Sequence, residues 1–248
     1  MQSPPSALDD ARMRRRRVLP LALCCALLAP AQEPTRRFEN RNGTFHVTVP
    51  AHWRQLSPGE ARQIGDNPRA PEPLRLAQPQ QFYAVGPVDE WLAGDFHAPW
   101  LYVREDDNEW YLSDSFADDL RTQWQRYGEA KGERHQLADV RRTKVGEQQI
   151  EVVTAIRTAT WTNTRPPLQS LDVYAPAVGK QVTLSFCCAP ADFATNEPAF
   201  RRWLGTLTFA RVPRGQTSLG DRLWTPILTG LVVGAVLLVL YRYTRARR

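Results

Sequence analysis

Hydrophobic residues in this chain form two uninterrupted runs near the ends and a periodic pattern between them. The first run, Val18 to Ala29, follows the basic block Arg14 to Arg17 and closes on Ala29 and Ala31 around Pro30. Basic, apolar and small residues in that order are a signal-peptide pattern. As a helix the run reaches only about 18 Å, short of a hydrocarbon core of roughly 30 Å, so it predicts a cleaved leader over residues 1–31. Two acids and several turn formers precede a basic region that is complete without them, which predicts translation from Met13. The second run, Leu223 to Tyr241, holds 19 residues without a charge. It reaches about 29 Å as a helix, with Trp224 at one margin and Tyr241 and Tyr243 at the other, and it predicts a membrane-spanning segment. Arg242, Arg245, Arg247 and Arg248 place the 242–248 tail inside by the positive-inside rule, with the N-terminal domain outside the cytoplasm. Residues 213–222, with Pro213, Gly215, Ser218 and Gly220, read as a linker.

Between the runs, residues 32–212 alternate like a folded domain. Phe45, Val47 and Val49 against His46 and Thr48 predict a strand ending at Pro50. Ser57, Pro58 and Glu60 predict a helix start with a capping box. Four prolines from Asn67 to Pro79 predict a loop, after which "QQFYAVG" resumes strand character. Phe116, Leu120, Trp124 and Tyr127 form one stripe of a helix starting near Ser115, whose spacing to Asp118 suits a capping box, and Gly128 offers its stop. Strands are predicted over Val140 to Lys144 and Gln149 to Trp161 around Gly146, and over Leu171 to Tyr174 and Gln181 to Phe186 across a Pro176 to Gly179 turn. A short helix carrying Phe200, Trp203 and Leu204 then leads to a closing strand from Thr206 to Val212. Tight turns join most neighbours, so the fold class is α+β, a mainly antiparallel sheet with packed helices.

Charge changes the picture of partners. The chain carries a formal +6, yet the excess lies in the two ends, and residues 32–222 hold 23 basic against 24 acidic side chains. A near-neutral domain lacks the electrostatic footprint of phosphate binding, which argues against nucleic acid.

No residue pattern assigns a catalytic, cofactor-binding or metal-ligating role: the P-loop, nucleophile-elbow, H-E-x-x-H and C-x-x-C patterns are absent from the sequence. His46, His52, His97 and His135 have no metal-ligand spacing. The acidic run Glu105 to Glu109 lacks the alternating ligands and central glycine of a calcium loop, and between "WLYV" and "WYL" it reads as a solvated hairpin turn. Asn42-Gly43-Thr44 matches a glycosylation acceptor and reads as a turn. Cys187 and Cys188 are the only cysteines beyond the leader. Strand parity puts Cys188 with Val182, Leu184 and Phe186, and Cys187 with Thr183 and Ser185 on the opposite face. Three readings stay open: two buried quiet thiols, a vicinal or intermolecular disulfide, or catalysis. Gly230 and Gly234, one turn apart in the apolar run, leave open a weak homodimer through the membrane.

The segments "FHVTVPAHWRQLSPGEA", the helix after "APWLYVRE", the successive hairpins and "VTLSFCCAPADFATNEPAFRRWLGTLTFAR" resemble the PsbP-like superfamily over Phe38 to Val212. That superfamily is named for an extrinsic subunit of photosystem II, and a Ran-binding nuclear import factor shares its α/β/α sandwich. The resemblance implies that sandwich and, more loosely, a non-catalytic role in binding or assembly. The expected protein is a single-pass cell-membrane protein whose periplasmic or surface-exposed domain engages another envelope protein. The alternative is a thiol-dependent or hydrolytic envelope enzyme using Cys187 or Cys188 with a histidine.

Overall fold

Alternation in Phe45 to Pro50 buries Phe45, Val47 and Val49 completely and leaves His46 and Thr48 at the surface, as a half-buried strand requires. The structure is a computed structural model that describes residues 34–75, 82–107, 112–113, 115–162 and 165–211. It divides into two compact units, Met1–Pro34 and Thr35–Arg248, and every described helix and strand belongs to the second. The leader, the linker, the 223–241 segment with Gly230 and Gly234, and the Arg-rich tail lie outside the described residues. Among those described, no helix is long and apolar enough to cross a membrane.

In chain order the elements are β1 (Thr35–Glu39), β2 (Phe45–Pro50), β3 (Arg54–Gln55), α1 (Pro58–Gly65), α2 (Glu72–Arg75), β4 (Phe82–Gly86), α3 (Val88–Leu92), β5 (Trp100–Asp106), α4 (Phe116–Lys131), β6 (Glu133–Val145), β7 (Ile150–Trp161), β8 (Leu168–Ala177), β9 (Lys180–Cys188), α5 (Phe193–Leu204) and β10 (Thr208–Phe209). Seven strands form one sheet in the order β3-β4-β5-β9-β8-β7-β6, and β1-β2-β10 form another. Every pairing is antiparallel. The α+β, antiparallel expectation holds.

Strand parity divides the core. One face of the large sheet, with Leu171, Val173, Leu184 and Phe186, packs against the small sheet and the Phe193, Phe200 and Leu204 side of α5. The opposite face carries two clusters. Trp100, Ala84 and Cys187 meet Ile64 of α1, Leu74 of α2 and Trp91 of α3. Val153, Ala155 and Tyr174 meet Phe116 and Leu120 of α4. Burial of such side chains stabilises by about 1.5–3 kcal/mol each, so these three contacts hold the layers together.

Several expectations need correction. β1 escapes the periodic pattern because only Phe38 is buried among charged neighbours. The Asn67 to Pro79 stretch contains α2, whose Leu74 is buried with Ala70 beside it, so its described part is more than a loop. Ser115 does not close a capping box: its backbone is helical, and its hydroxyl donates instead to Asp119 at 2.8 Å. Helix α4 does not stop at Gly128 but runs to Lys131, and Gly132 takes the left-handed cap at φ 67°. β6 begins at Glu133 rather than Val140, with a register shift between Ala138 and Arg141 where Asp139 has φ 49°. β8 and β9 extend to Ala177 and Lys180, leaving Val178 and Gly179 as the turn. The closing strand is the two-residue β10, paired with β2.

Candidate functional site

Two polar features interrupt the apolar layers. The first is a buried ion pair under α4. Antiparallel register sets Arg157 of β7 opposite Ser170 of β8, and Asp172 follows two residues along on the same face. Arg157 Nε donates to Asp172 Oδ2 at 2.5 Å and Nη2 to Oδ1 at 3.3 Å. Ser170 Oγ donates to Oδ1 at 2.7 Å, and the Tyr174 hydroxyl to Oδ2 at 3.4 Å. Four donors thus meet the four lone-pair directions of one carboxylate. Trp124 closes the arrangement from α4: its Nε1 donates to the Tyr174 hydroxyl at 2.8 Å and its ring lies over the guanidinium. Burial works against the charge on Arg157, but the adjacent Asp172 outweighs it and raises the pKa. Burial and the same carboxylate push the Tyr174 phenol far above its usual range.

His135 sits beside this pair, its ring 4.6 Å from that of Trp124. Its Nε2 is 3.0 Å from Glu133, while its buried Nδ1 has no hydrogen-bond partner. Burial, then the Arg157 charge, lowers its pKa, so the neutral ring is the stable form. The other histidines lie elsewhere: His46 on β2, His52 before β3 and His97 before β5. Among the described residues no three His, Cys, Asp or Glu side chains form a group that could hold a metal ion.

The cysteines follow the parity expected. Cys187 joins the Trp100 cluster and Cys188 the Leu184 and Phe186 cluster, both free and buried. Burial raises the Cys187 thiol well above its usual value. Burial, with Asp192 nearby, lifts Cys188 to about 12. A reactive cysteine needs the opposite shift.

The acidic run begins inside a strand, and among its described residues only the first two depart from the solvated turn expected. Glu105 and Asp106 belong to β5, which pairs with β4 and β9, and Leu112 lies in no strand. Glu105 is part-buried and accepts from Asn40, the Tyr83 hydroxyl and Lys180. Asn108 to Tyr111 lie outside the described residues. Asn42 and Gly43 do turn the chain between β1 and β2, where Gly43 takes φ 61° and Asn40 accepts from the Thr44 and Phe45 amides.

The second feature is a cleft of about 490 Å³ at one end of the large sheet. It is built from the loop after α1, the loop after α3 and the segment entering β8. Arg165 holds two of these together, donating to the Ala70 carbonyl at 2.7 Å and pairing with Glu72 at 2.9 Å. Trp100, Leu168 and Cys188 supply buried groups at its floor, and Phe96 and four prolines (Pro68, Pro71, Pro166 and Pro167) its walls. Arg69 and His97 stand exposed at its rim, and among the described residues no acidic side chain lines it. Sequence alone does not reveal this cleft: its prolines come from segments about 95 residues apart, and only the Pro-rich composition hints at it.

No family model matches the chain, and no curated protein matches it. The solution structure of cyanobacterial PsbP from Synechocystis sp. PCC 6803 matches with a TM-score of 0.49 and 13% identity, over 73% of this chain and 95% of that one. A crystal structure of a Pseudomonas aeruginosa protein of unknown function, a putative regulator, matches with a TM-score of 0.33 and 13% identity, over 73% of this chain and 99% of that one. The chain is weakly similar in fold to cyanobacterial PsbP.

Proposed function

We propose that this chain is an exported binding or assembly module of the cell envelope, anchored by the Leu223 to Tyr241 helix, with a PsbP-like α/β/α domain outside the cytoplasm and no catalytic activity. The observation that carries the reading is the cleft. Its size suits a bound group, its proline walls are rigid, and Arg165 braces two of its three segments, so little ordering cost accompanies binding. Asp172 and the two thiols serve packing. Asp172 is saturated by four donors, and both thiols are buried with raised pKa values. The thiol-enzyme alternative gains no support from these surroundings.

A photo-crosslinking residue in place of Phe96, at the cleft, and in place of Asp118, on the exposed side of α4, tests the reading in whole cells. Crosslinks to an envelope component from position 96 and none from 118 are expected, together with a membrane fraction that resists carbonate extraction. Extraction of the full chain by carbonate, or equal crosslinking from both positions, overturns it.

A further inference from the structure

We propose that the cleft binds a small organic anion with a flat, apolar body, the anionic group meeting Arg69 and the body lying against Phe96 and the proline walls. The inference deepens the binding-module reading and rests on its use of this cleft. Three observations carry it. First, the cleft is apolar over a fixed floor: Trp100, only 1% exposed, is locked beneath it by edge contacts to Trp91 at 5.9 Å and Tyr102 at 6.2 Å, and the half-buried Phe96 lines it. An aromatic wall over an immobile floor is a preorganised surface for a planar ring. Second, the walls are pyrrolidine rings from two separate segments, Pro68 with Pro71 and Pro166 with Pro167, which cannot swing aside as longer side chains would. Third, the rim carries a guanidinium with no ionic partner. Among the described residues neither the Arg69 guanidinium nor the His97 ring has an ion-pair or hydrogen-bond partner, although both have backbone amides engaged by nearby carboxamide or carboxylate oxygens. Arg54, Arg75 and Arg201, by contrast, are paired, with Glu60 and Asp89, with Glu72 and with Glu197; what sets Arg69 apart from other exposed arginines is its place at the cleft. An unopposed guanidinium at the mouth of an apolar cleft matches a carboxylate, which it can hold through two parallel hydrogen bonds.

The volume limits the ligand to one of modest size. A cleft of about 490 Å³ falls in the lower part of the range that small-molecule sites occupy, room for a fused bicyclic body and one charged group.

Equilibrium dialysis of the full chain in lipid nanodiscs, with empty discs subtracted, against 2-naphthoate and its neutral isostere 2-naphthamide provides the test. The expected result is saturable one-site binding of naphthoate, about tenfold tighter than naphthamide. Arg69→Gln removes that tenfold preference and leaves naphthamide binding unchanged. Ala189→Trp, which fills the cleft, abolishes both, with circular dichroism and denaturation midpoint showing that each variant is folded. Equal binding of the two probes, a preference that survives Arg69→Gln, or binding that survives Ala189→Trp overturns the inference. Crosslinking from position 96 that persists when naphthoate fails to bind leaves the module reading standing and removes only this ligand class.

Discussion

The Trp124 ring lies over the Arg157 guanidinium, whose central carbon is 4.3 Å from the ring centroid. A helix residue therefore seals a buried charge from α4, while Asp172 satisfies that charge within the sheet. An apolar stripe on α4 was expected to make plain core. The stripe is real at Phe116 and Leu120, but at Trp124 it becomes the lid of a polar cluster, and Tyr127 is 42% exposed.

Trp124→Ala is expected to cost about 3 kcal/mol, combining lost apolar contact, the cation–π contact and the hydrogen bond to Tyr174. Trp124→Phe should recover roughly half by keeping a ring over the guanidinium. Gln123→Ala, on the exposed side, should stay within about half a kcal/mol. Urea unfolding of the three variants measures this, and equal small shifts for both alanine variants would remove α4 from the core.

Asp172→Ala strips Arg157 of its partner and should cost about 3–5 kcal/mol, because a buried guanidinium is left uncompensated. Replacing both, Asp172→Ala with Arg157→Met, should recover most of that loss. A double-mutant cycle by chemical denaturation reads the coupling. A double variant no more stable than Asp172→Ala alone would mean that the pair is not what the site needs.

How much of this was legible depends on where each signal resides. Alternation in Ile150 to Trp161 and in Gln181 to Phe186 reported strands whose two faces are both covered, and the opposite facing of Cys187 and Cys188 came directly from that parity. The capping box at Ser57 is local chemistry and is present as read, with both of its hydrogen bonds formed. Partners distant in sequence were not readable. Nothing in the sequence around Arg157 marks it for burial; its partner Asp172 is supplied by β8. The cleft likewise depends on Arg165 meeting Glu72 and Ala70 across a long separation.

The buried His135 predicts a pH dependence of stability. Its folded pKa is lowered, first by burial and then by Arg157, from an ordinary value near 6.5. The unfolded chain therefore takes up a proton first as the pH falls. The contribution is fully present above about 6.5 and is lost as the pH drops from there toward the folded value. Denaturation midpoints between pH 7.5 and 5.5 should decline with a slope of up to one proton. His135→Phe should flatten that slope, whereas His46→Gln, whose group is also shifted down, should leave most of it. A slope unchanged in His135→Phe would contradict the assignment.

The thiols give a direct chemical test. Each is about 1% exposed, and Cys188 has its pKa pushed up to about 12. Maleimide at pH 7.5 should leave the peptides carrying Cys187 and Cys188 unmodified in native protein and label both after denaturation. Rapid native labelling of either residue would instead favour the thiol-dependent enzyme.

Gly128 separates a helix stop from a close approach. A methyl group built there would lie 2.5 Å from the Glu133 carbonyl oxygen and 3.3 Å from His135 Cδ2. Neither can withdraw easily, since Glu133 opens β6 immediately after the Gly132 cap and His135 is wedged against Trp124. Gly128→Ala should therefore destabilise by about 1–3 kcal/mol despite alanine's better helix propensity, because overpacking at a backbone contact outweighs the propensity gain of about 1 kcal/mol. Gly59→Ala in the first turn of α1 is the matched control: no atom lies within 4 Å of the added methyl, so the same substitution should stabilise by roughly 0.4–1 kcal/mol. Thermal unfolding of the two variants resolves the sign. A gain in stability from both would mean that α4 and β6 do not approach as closely as the Gly128 to Glu133 contact requires.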